Sequence, residues 1–571
     1  MLATWIAGLL TAPLAADSIC DALRLTPVTQ ESGIDFVHDR GDRGEKHYPE
    51  TMGSGVAWFD ADGDGWVDVY FVQSGPFPPE GSTGANNRLF RNLGDGTFEP
   101  FPSMGDGHGG YGQGVVAADV SGDGITDLYL TNFGSDTLLL GRGDGTFEDW
   151  TTATGLGLGG WSSSAALADA DGDGWLDLYV TRYLVYEGED QIFCGDTESG
   201  QRHYCDPALF RGERDRFYRH LGVRDEGGIA FTDRTQDAGF RDAAGKGLGV
   251  LFTDLDGDRD PDLYVANDLT LNLLFENQGD GTFADLSLLS GTALDGQGKP
   301  EAGMGVATGD VDGDGLPDLA VTNFDVETNT LYRNLDGLLF EDRAAVSGFG
   351  PPSFNLLGFG VVLQDFDRDG DLDAYVANGH VREVPRRDNV HYAQRDLLLL
   401  NDGRGNFQGQ PCPWLEDAPG VGRGLAAADY DRDGDVDLAV QHSGGPARLL
   451  RNDISRQDSA VEATGFLGVT LRGQRPNTDA VGARVTVDSP ARVTQVRWVT
   501  AGDSYQSSSE KRLLFAVPRG KGRADSHLEV RWPTGQTLKI RGLPKDRHLT
   551  VYEPAAKGQV SASRGSVDGS R

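Results

Sequence analysis

The chain has 571 residues, with 88 Asp and Glu against 50 Lys and Arg, a net charge of −38. That balance argues against nucleic acid as a partner, because phosphate contact needs basic surface. With 38% hydrophobic residues and 81 glycines, the chain has material for two or more cores joined by many tight turns, and wholesale disorder is excluded.

Residues 1–16 open with a short apolar run, MLATWIAGLLTAPLAA, ending in small residues. This predicts a signal peptide cleaved near Ala16, although no Lys or Arg precedes the run. It is too short to span a bilayer, and no later segment approaches the ~20 apolar residues of a membrane helix. Export fits the four cysteines, Cys20, Cys194, Cys205 and Cys412. Cys194 and Cys205 lie close together inside one insertion (residues 186–213) with little core of its own, so a bond between them is expected. Cys20 with Cys412 is the remaining pairing, and two free thiols the alternative.

From residue 27 to 455 one acidic motif, Asp-x-Asp-x-Asp-x-x-x-Asp or a near variant, recurs seven times. The first loop carries Asp60, Asp62, Asp64, Trp66 and Asp68, and the second Asp119, Ser121, Asp123 and Asp127. The third carries Asp169, Asp171, Asp173 and Asp177; the fourth Asp254, Asp256, Asp258 and Asp262; the fifth Asp310, Asp312, Asp314 and Asp318. Asp365, Asp367, Asp369 and Asp373 make the sixth, and Asp429, Asp431, Asp433 and Asp437 the seventh. Successive loops start 59, 50, 85, 56, 55 and 64 residues apart, at or somewhat above the roughly 40 to 50 residues of a propeller blade. The long spacing holds the insertion.

A Gly-rich apolar stretch such as GSGVAWF precedes each loop and an alternating run such as VDVYFVQ follows it. Period-two alternation predicts strands, and the GDGTF turns that come next predict tight hairpins. The result is a blade of short antiparallel strands, repeated seven times: an all-β, seven-bladed β-propeller. The last repeat stops after ARLLRN at Asn452, and the N-terminal stretch VTQESGIDFVHD, Val28 to Asp39, is expected to supply its missing strand and close the ring.

Four carboxylates within a few ångströms repel one another unless a cation sits among them. Calcium takes six to eight hard oxygen ligands in a flexible shell, and alternate positions of a tight loop aim side chains at one centre. Structural calcium, about five to seven ions per chain, is therefore the expected cofactor. The side chains above are the expected ligands, with the Trp66 carbonyl adding an oxygen. Ser121 in place of an acid, and Arg259 in place of a glycine, predict weaker second and fourth sites.

From residue 463 to 555 the acidic loops vanish and short alternating runs such as ARVTV, LLFAV and LEVRW predict a small β-sandwich-like domain. Arg484, Arg492, Arg497 and Arg531 fall on these strands. They suit either a docking surface for the acidic ring or an anionic glycan, or an ordinary solvated strand face, and the second reading is favoured. Residues 556–571 have the composition of a disordered tail.

GFGVVLQDFDRDGDLDAYVANG, from Gly358, resembles the FG-GAP or VCBS-type repeats of calcium-binding propellers. HYPETMGSGVAWFDADGDG, from His47, is similar to the start of the cartilage acidic protein family, and NTDAVGARVTV, from Asn477, to its ASPIC/UnbV domain. The pair Cys194 and Cys205 followed by RDRFYRHLG resembles a paired-cysteine insertion in that family. The resemblance implies a secreted calcium-binding protein, often without a defined biochemical activity.

No nucleophile with a base, no GxSxG and no HExxH is present, so no catalytic residues are assigned and an enzyme is not the favoured reading. The expected function is that of a monomeric binding or scaffolding protein for an unidentified protein or glycan partner. The alternative is a propeller-based polysaccharide lyase or hydrolase acting at the central channel, for which His380 and His391 are the first residues to inspect; the favoured reading makes them part of a decorated surface loop. Arg40-Gly41-Asp42 and Arg142-Gly143-Asp144 are ascribed to chance.

Overall fold

A computed structural model describes residues 23, 25–77, 86–101, 110–157, 159–186, 192–224, 228–240, 244–383, 389–454, 464–489, 494–519 and 526–555. The expected signal peptide, Cys20, Arg492 and the expected tail lie outside them.

The protein is all-β, with seven four-stranded antiparallel sheets formed in chain order. Each begins with a wholly or mainly buried strand (Val56–Phe59, Tyr111–Ala118, Ser162–Ala168, Gly247–Thr253, Val306–Gly309, Gly358–Gln364 and Gly422–Ala428). These first strands pack against one another in sequence, and the seventh packs against the first. The sheets therefore form a closed β-propeller whose inner strands are rich in Gly, Ala, Ser and Val. Small residues suit the wall because the strands converge there: a Cβ on Gly305 would sit 2.1 Å from the Phe359 carbonyl.

The N-terminal segment does close the ring. Its regular strand is Leu25–Pro27, the three residues just before the expected stretch. Of Val28 to Asp39 itself, Val28 and residues 36–38 also bond the last blade, Val37 bridging Pro446. Leu25 pairs with Asn452 and Pro27 with Leu450. VTQESG occupies instead the place of the tail that follows the fourth strand of other blades. Its Gly33 has φ 85°, and a Cβ there would meet the Phe98 carbonyl at 2.6 Å, as one on Gly239 would meet Phe283 at 2.4 Å. VTQESG and TQDAG, residues 235–239 at the end of the third blade, thus share a turn, offset by a few residues from the strand.

The insertion carries the Cys194–Cys205 disulfide. Cys412 is buried in the core shared by the sixth and seventh blades; its expected partner lies outside the described residues.

Beyond the ring, Thr464–Arg472, Leu513–Pro518 and Arg547–Tyr552 form one sheet, and Arg484–Asp488, Gln495–Trp498, His527–Arg531 and Thr537–Arg541 a second. Val469, Val485, Phe515, Val530 and Trp532 fill the core between them, as in a small β sandwich.

This second domain sends the loop AGDSYQSSS, residues 501–509, into the bore of the propeller. Trp58 N donates to Ser508 O at 3.0 Å, Val115 N to Gln506 O at 3.0 Å, Leu167 N to Ala501 O at 2.9 Å and Val306 N to Ser504 O at 2.9 Å. Ser504 Oγ accepts from Val361 N at 3.0 Å, and Ser509 Oγ from Ala427 N at 3.1 Å. Six of the seven inner strands thus bond to one loop. The inner strands of a closed ring have free N–H and C=O groups facing the axis, and burial obliges them to find partners. Ser504 and Gln506 both take left-handed backbone, φ 61° and 58°, which turns the chain at the tip and places Tyr505, fully buried, deepest.

Candidate metal centres

Each acidic loop joins the first and second strands of a blade, so all seven open on the same face of the ring. In the first loop Asp60 Oδ1 accepts from Gly63 N at 2.8 Å and Oδ2 from Gly65 N at 2.9 Å. Gly63 and Gly65 lie in the left-handed region, φ 74° and 89°, and the two turns they make bring the acids round to one point. Carboxylate oxygens of Asp60, Asp62 and Asp68 come within 4.8 Å of one another. The same holds for Asp169, Asp171 and Asp173; for Asp254, Asp256 and Asp262; for Asp310, Asp312 and Asp318; and for Asp365, Asp367 and Asp373. These clusters of hard oxygen donors could hold metal ions.

The closing aspartate has a second job. Asp318 accepts from Val311 N at 3.0 Å and from Asn334 N at 2.8 Å, so it shuts its own loop and ties it to the third strand. Asp68, Asp127, Asp177, Asp262, Asp373 and Asp437 do the same in their blades. All seven are buried. Burial pushes Asp68 up to about 7 and Asp127, Asp262 and Asp318 up to about 8, because a carboxylate removed from water without a cation is held in its neutral form.

At the third loop, Asp169 Oδ1 is buried without a hydrogen-bond donor, and Asp171 Oδ2 meets only the Arg219 guanidinium. Arginines from the third strands answer part of the charge. Arg91 approaches Asp62 at 2.7 Å, Arg333 approaches Asp312 at 2.5 Å, and Arg219 pairs with Asp171.

The two doubtful loops are built differently from each other. Arg259 of the fourth adopts φ 88°, the conformation Gly65 takes without strain, and its loop still clusters. Arg368 and Arg432 hold the fourth position of the sixth and seventh loops, glycine in the other five, and take φ 62° and 61° there, so those loops also depart from the glycine pattern. The second loop, with Ser121 3.3 Å from Asp119, receives two residues from the C-terminal domain: Thr478 Oγ1 donates to Asp119 Oδ2, and Asp119 N donates to Asp479 Oδ2 at 2.9 Å. Asp123 O accepts from Arg475. In the seventh loop, Asp429 N donates to Glu510 at 3.1 Å, while Arg512 and His548 face the carboxylate at 4.0 and 3.4 Å. Asp433 N donates to Asp431 at 3.4 Å beside them.

The C-terminal domain therefore sits on the acidic face. Arg497, buried, donates to Gly370 O at 3.3 Å, and Arg484 to Gly315 O at 3.1 Å. For these two the docking reading holds, against the favoured one. Arg531 is exposed and pairs with Glu529. Trp66, at the seventh position of the first loop, presents its ring to Arg432 of the seventh at 4.4 Å, a cation–π contact across the ring's closure.

One set of residues escaped the sequence reading. The Asn that ends the third strand in five blades donates its amide to the loop carbonyl of the preceding blade: Asn92 to Tyr430 O, Asn277 to Ala170 O, Asn334 to Leu255 O, Asn401 to Val311 O and Asn452 to Phe366 O, at 2.7 to 3.0 Å. The signal was present as the recurrent ending of RLFRN, LLFEN, TLYRN, LLLLN and RLLRN.

His380 is buried, its Nε2 3.8 Å from Asp325, rather than part of a surface loop; His391 is exposed. Arg40 and Asp42 pair with each other at 2.7 Å.

This architecture defines an FG-GAP-type propeller joined to an ASPIC/UnbV domain. FG-GAP-like repeats match at residues 60–130, 119–180, 254–321 and 310–376, and ASPIC and UnbV at 473–558. The chain is a homologue of cartilage acidic protein 1 over most of its length. It is 25% identical to the mouse protein over 527 residues, 88% of this chain and 74% of that one, and 25% identical to the human protein over 86% and 70%. The Xenopus tropicalis protein is 28% identical over 51% of this chain and 42% of its own. Among solved structures, an Agrocybe aegerita lectin that recognises non-reducing terminal N-acetylglucosamine is 17% identical over 72% of this chain and 96% of its own, with a TM-score of 0.39. YCF48 bound to a D1 peptide is 10% identical over 70% and 94%, with the same TM-score.

Proposed function

We propose that this is a secreted, calcium-loaded propeller that acts as a binding or scaffolding protein for a protein or glycan partner. The carrying observation is the third loop, where Asp169 Oδ1 is buried without a hydrogen-bond donor while three aspartates converge with one arginine between them; a hard divalent cation answers both the bare oxygen and the remaining charge. In each loop the first, third, fifth and ninth residues supply the oxygens, and the cation offsets the charge that burial resists. Homology to cartilage acidic protein 1 supports a binding role, and the disulfide supports an oxidising compartment. No helix among the described residues is long and apolar enough to cross a membrane.

The reading of a lyase or hydrolase at the central channel is not favoured, because residues 501–509 fill the bore.

Elemental analysis after dialysis, with thermal unfolding in calcium and in chelator, tests the proposal. About five to seven ions per chain and a melting temperature that falls sharply on chelation are expected, since binding free energy becomes folding free energy. One ion or none, with unchanged melting, would sink it.

A further inference from the structure

On the face away from the acidic loops, the mouth of the channel ends in a pocket of about 120 Å³. Tyr48, Met52, Tyr183, Met304 and Phe359 line it, and Tyr505 of the plug packs behind them in the same apolar cluster, its ring 4.9 Å from that of Phe359. Its rim is the disulfide-bearing insertion, through Tyr204, Asp206 and Pro207. Tyr48, Tyr183, Tyr204, Phe324 and Phe359 make the aromatic part of its lining.

Three charged residues line it, Asp206 and Arg382 at the rim, which face each other, and Asp268 deeper in the wall. Asp268 is 7% exposed. Its Oδ2 accepts from Tyr183 Oη at 2.5 Å, and Tyr183 Oη lies 3.2 Å from Tyr48 Oη. Of the cations nearby, Arg382 faces Asp206 at 3.6 Å, and Lys246 Nζ donates to Pro207 O at 2.8 Å within electrostatic reach of Asp268. Lys46 lies over the Tyr204 ring at 5.1 Å, so none of the three bonds the Asp268 carboxylate directly. Aromatic faces carry negative charge density and attract cations, the more so where water is excluded. A buried carboxylate adds a fixed acceptor. An anion would meet repulsion from both, and the volume admits a head group of a few heavy atoms rather than an oligosaccharide.

We propose that this pocket binds a small organic ammonium group, such as an alkylammonium, with Asp268 as its counter-ion and Tyr48, Tyr183 and Tyr204 as its walls. Asp268 orients the ammonium, and the tyrosine faces take its hydrocarbon. The site lies on the opposite face from the acidic loops and stands independently of the calcium reading.

The test uses the full chain in excess calcium, titrated with n-propylammonium chloride by calorimetry and by tryptophan fluorescence, since Trp161 lies 5.1 Å from Tyr183. The controls are sodium chloride at equal ionic strength and propan-1-ol, a neutral molecule of the same shape. Saturable binding is expected with a Kd on the order of millimolar, about tenfold weaker for propan-1-ol. Asp268→Asn keeps an acceptor for Tyr183 and should weaken propylammonium about tenfold. Absence of saturable binding, equal binding of propan-1-ol, or unchanged binding by Asp268→Asn would each overturn the assignment. Should that variant not fold, Tyr204→Leu at the rim decides: about threefold weaker binding supports the site and unchanged binding refutes it. Calcium content, measured on the same samples, separates failure here from failure of the metal reading.

Discussion

Tyr505→Ala removes the residue on which the union of the two domains turns. The ring is fully buried, stacks edge-on to Phe359 at 4.9 Å, and its hydroxyl donates to Met52 O at 3.2 Å. Truncating a buried aromatic to alanine costs about 3–5 kcal/mol. Stranding the Met52 carbonyl adds about 1 kcal/mol. Calorimetry and urea denaturation followed by tryptophan fluorescence, both in excess calcium, provide the assay. The expected result is a loss of about 4 kcal/mol, with the single transition of the parent splitting into separate unfolding of the C-terminal domain and the propeller. Tyr552→Ala, at a position 59% exposed, should change stability by less than about 0.5 kcal/mol. If the two variants behave alike, the loop occupies the bore without holding it, and the reasoning from backbone partners to cohesion fails.

Acidity should act with opposite sign on loaded and stripped protein. Burial raises Asp68 to about 7 and Asp127, Asp262 and Asp318 to about 8, against an unfolded value of 3.8. Between pH about 4 and 8 the stripped folded state thus binds more protons than the unfolded chain, and its stability falls as pH rises. Calcium favours the ionised form, so binding expels protons and tightens over the same range. Melting curves at pH 5.5 and 8 should show chelated protein more stable at the lower pH and loaded protein more stable at the higher; parallel shifts would contradict the burial argument. In the fourth loop, Arg259→Gly relieves a left-handed backbone at φ 88° and should raise stability by about 1 kcal/mol, read as a higher urea midpoint. An unchanged or lower midpoint would mean the arginine side chain compensates its backbone.

The parts of the fold that were legible are those written in local chemistry. Seven spaced acidic loops with glycines at their turns, and GDGTF hairpins after them, specify a blade without reference to anything distant. The closing segment was legible but its regular strand was not, because VTQESG and TQDAG share a turn, while the strand beside it, Leu25–Pro27, is three residues long and contains a proline tolerated at this outer edge. The plug was illegible for a different reason. AGDSYQSSS is polar and without period, as any surface loop would be, and it is buried only because the inner strands of the ring offer it hydrogen bonds that no local pattern encodes. The same holds for Arg497 and Arg484, whose partners are backbone carbonyls over 100 residues earlier. Thr478 and Asp479, which complete the surroundings of the second loop, belong to the stretch NTDAVGARVTV, whose resemblance points to a domain and not to the loop it contacts.

The closure of the ring sets an order of events during synthesis. Leu25–Pro27 has no partner until Arg448–Asn452 has been made, so the earliest strand of the propeller is among the last to be placed. At translation rates of about 5–20 residues per second, that strand waits tens of seconds with its backbone unpaired. The bore stays open still longer, because residues 501–509 follow the last blade in the chain. A nascent ring is consequently a set of blades with free inner edges, vulnerable to wrong pairing until the C-terminal domain arrives and seats its loop. Folding of this protein ends, rather than begins, at its axis.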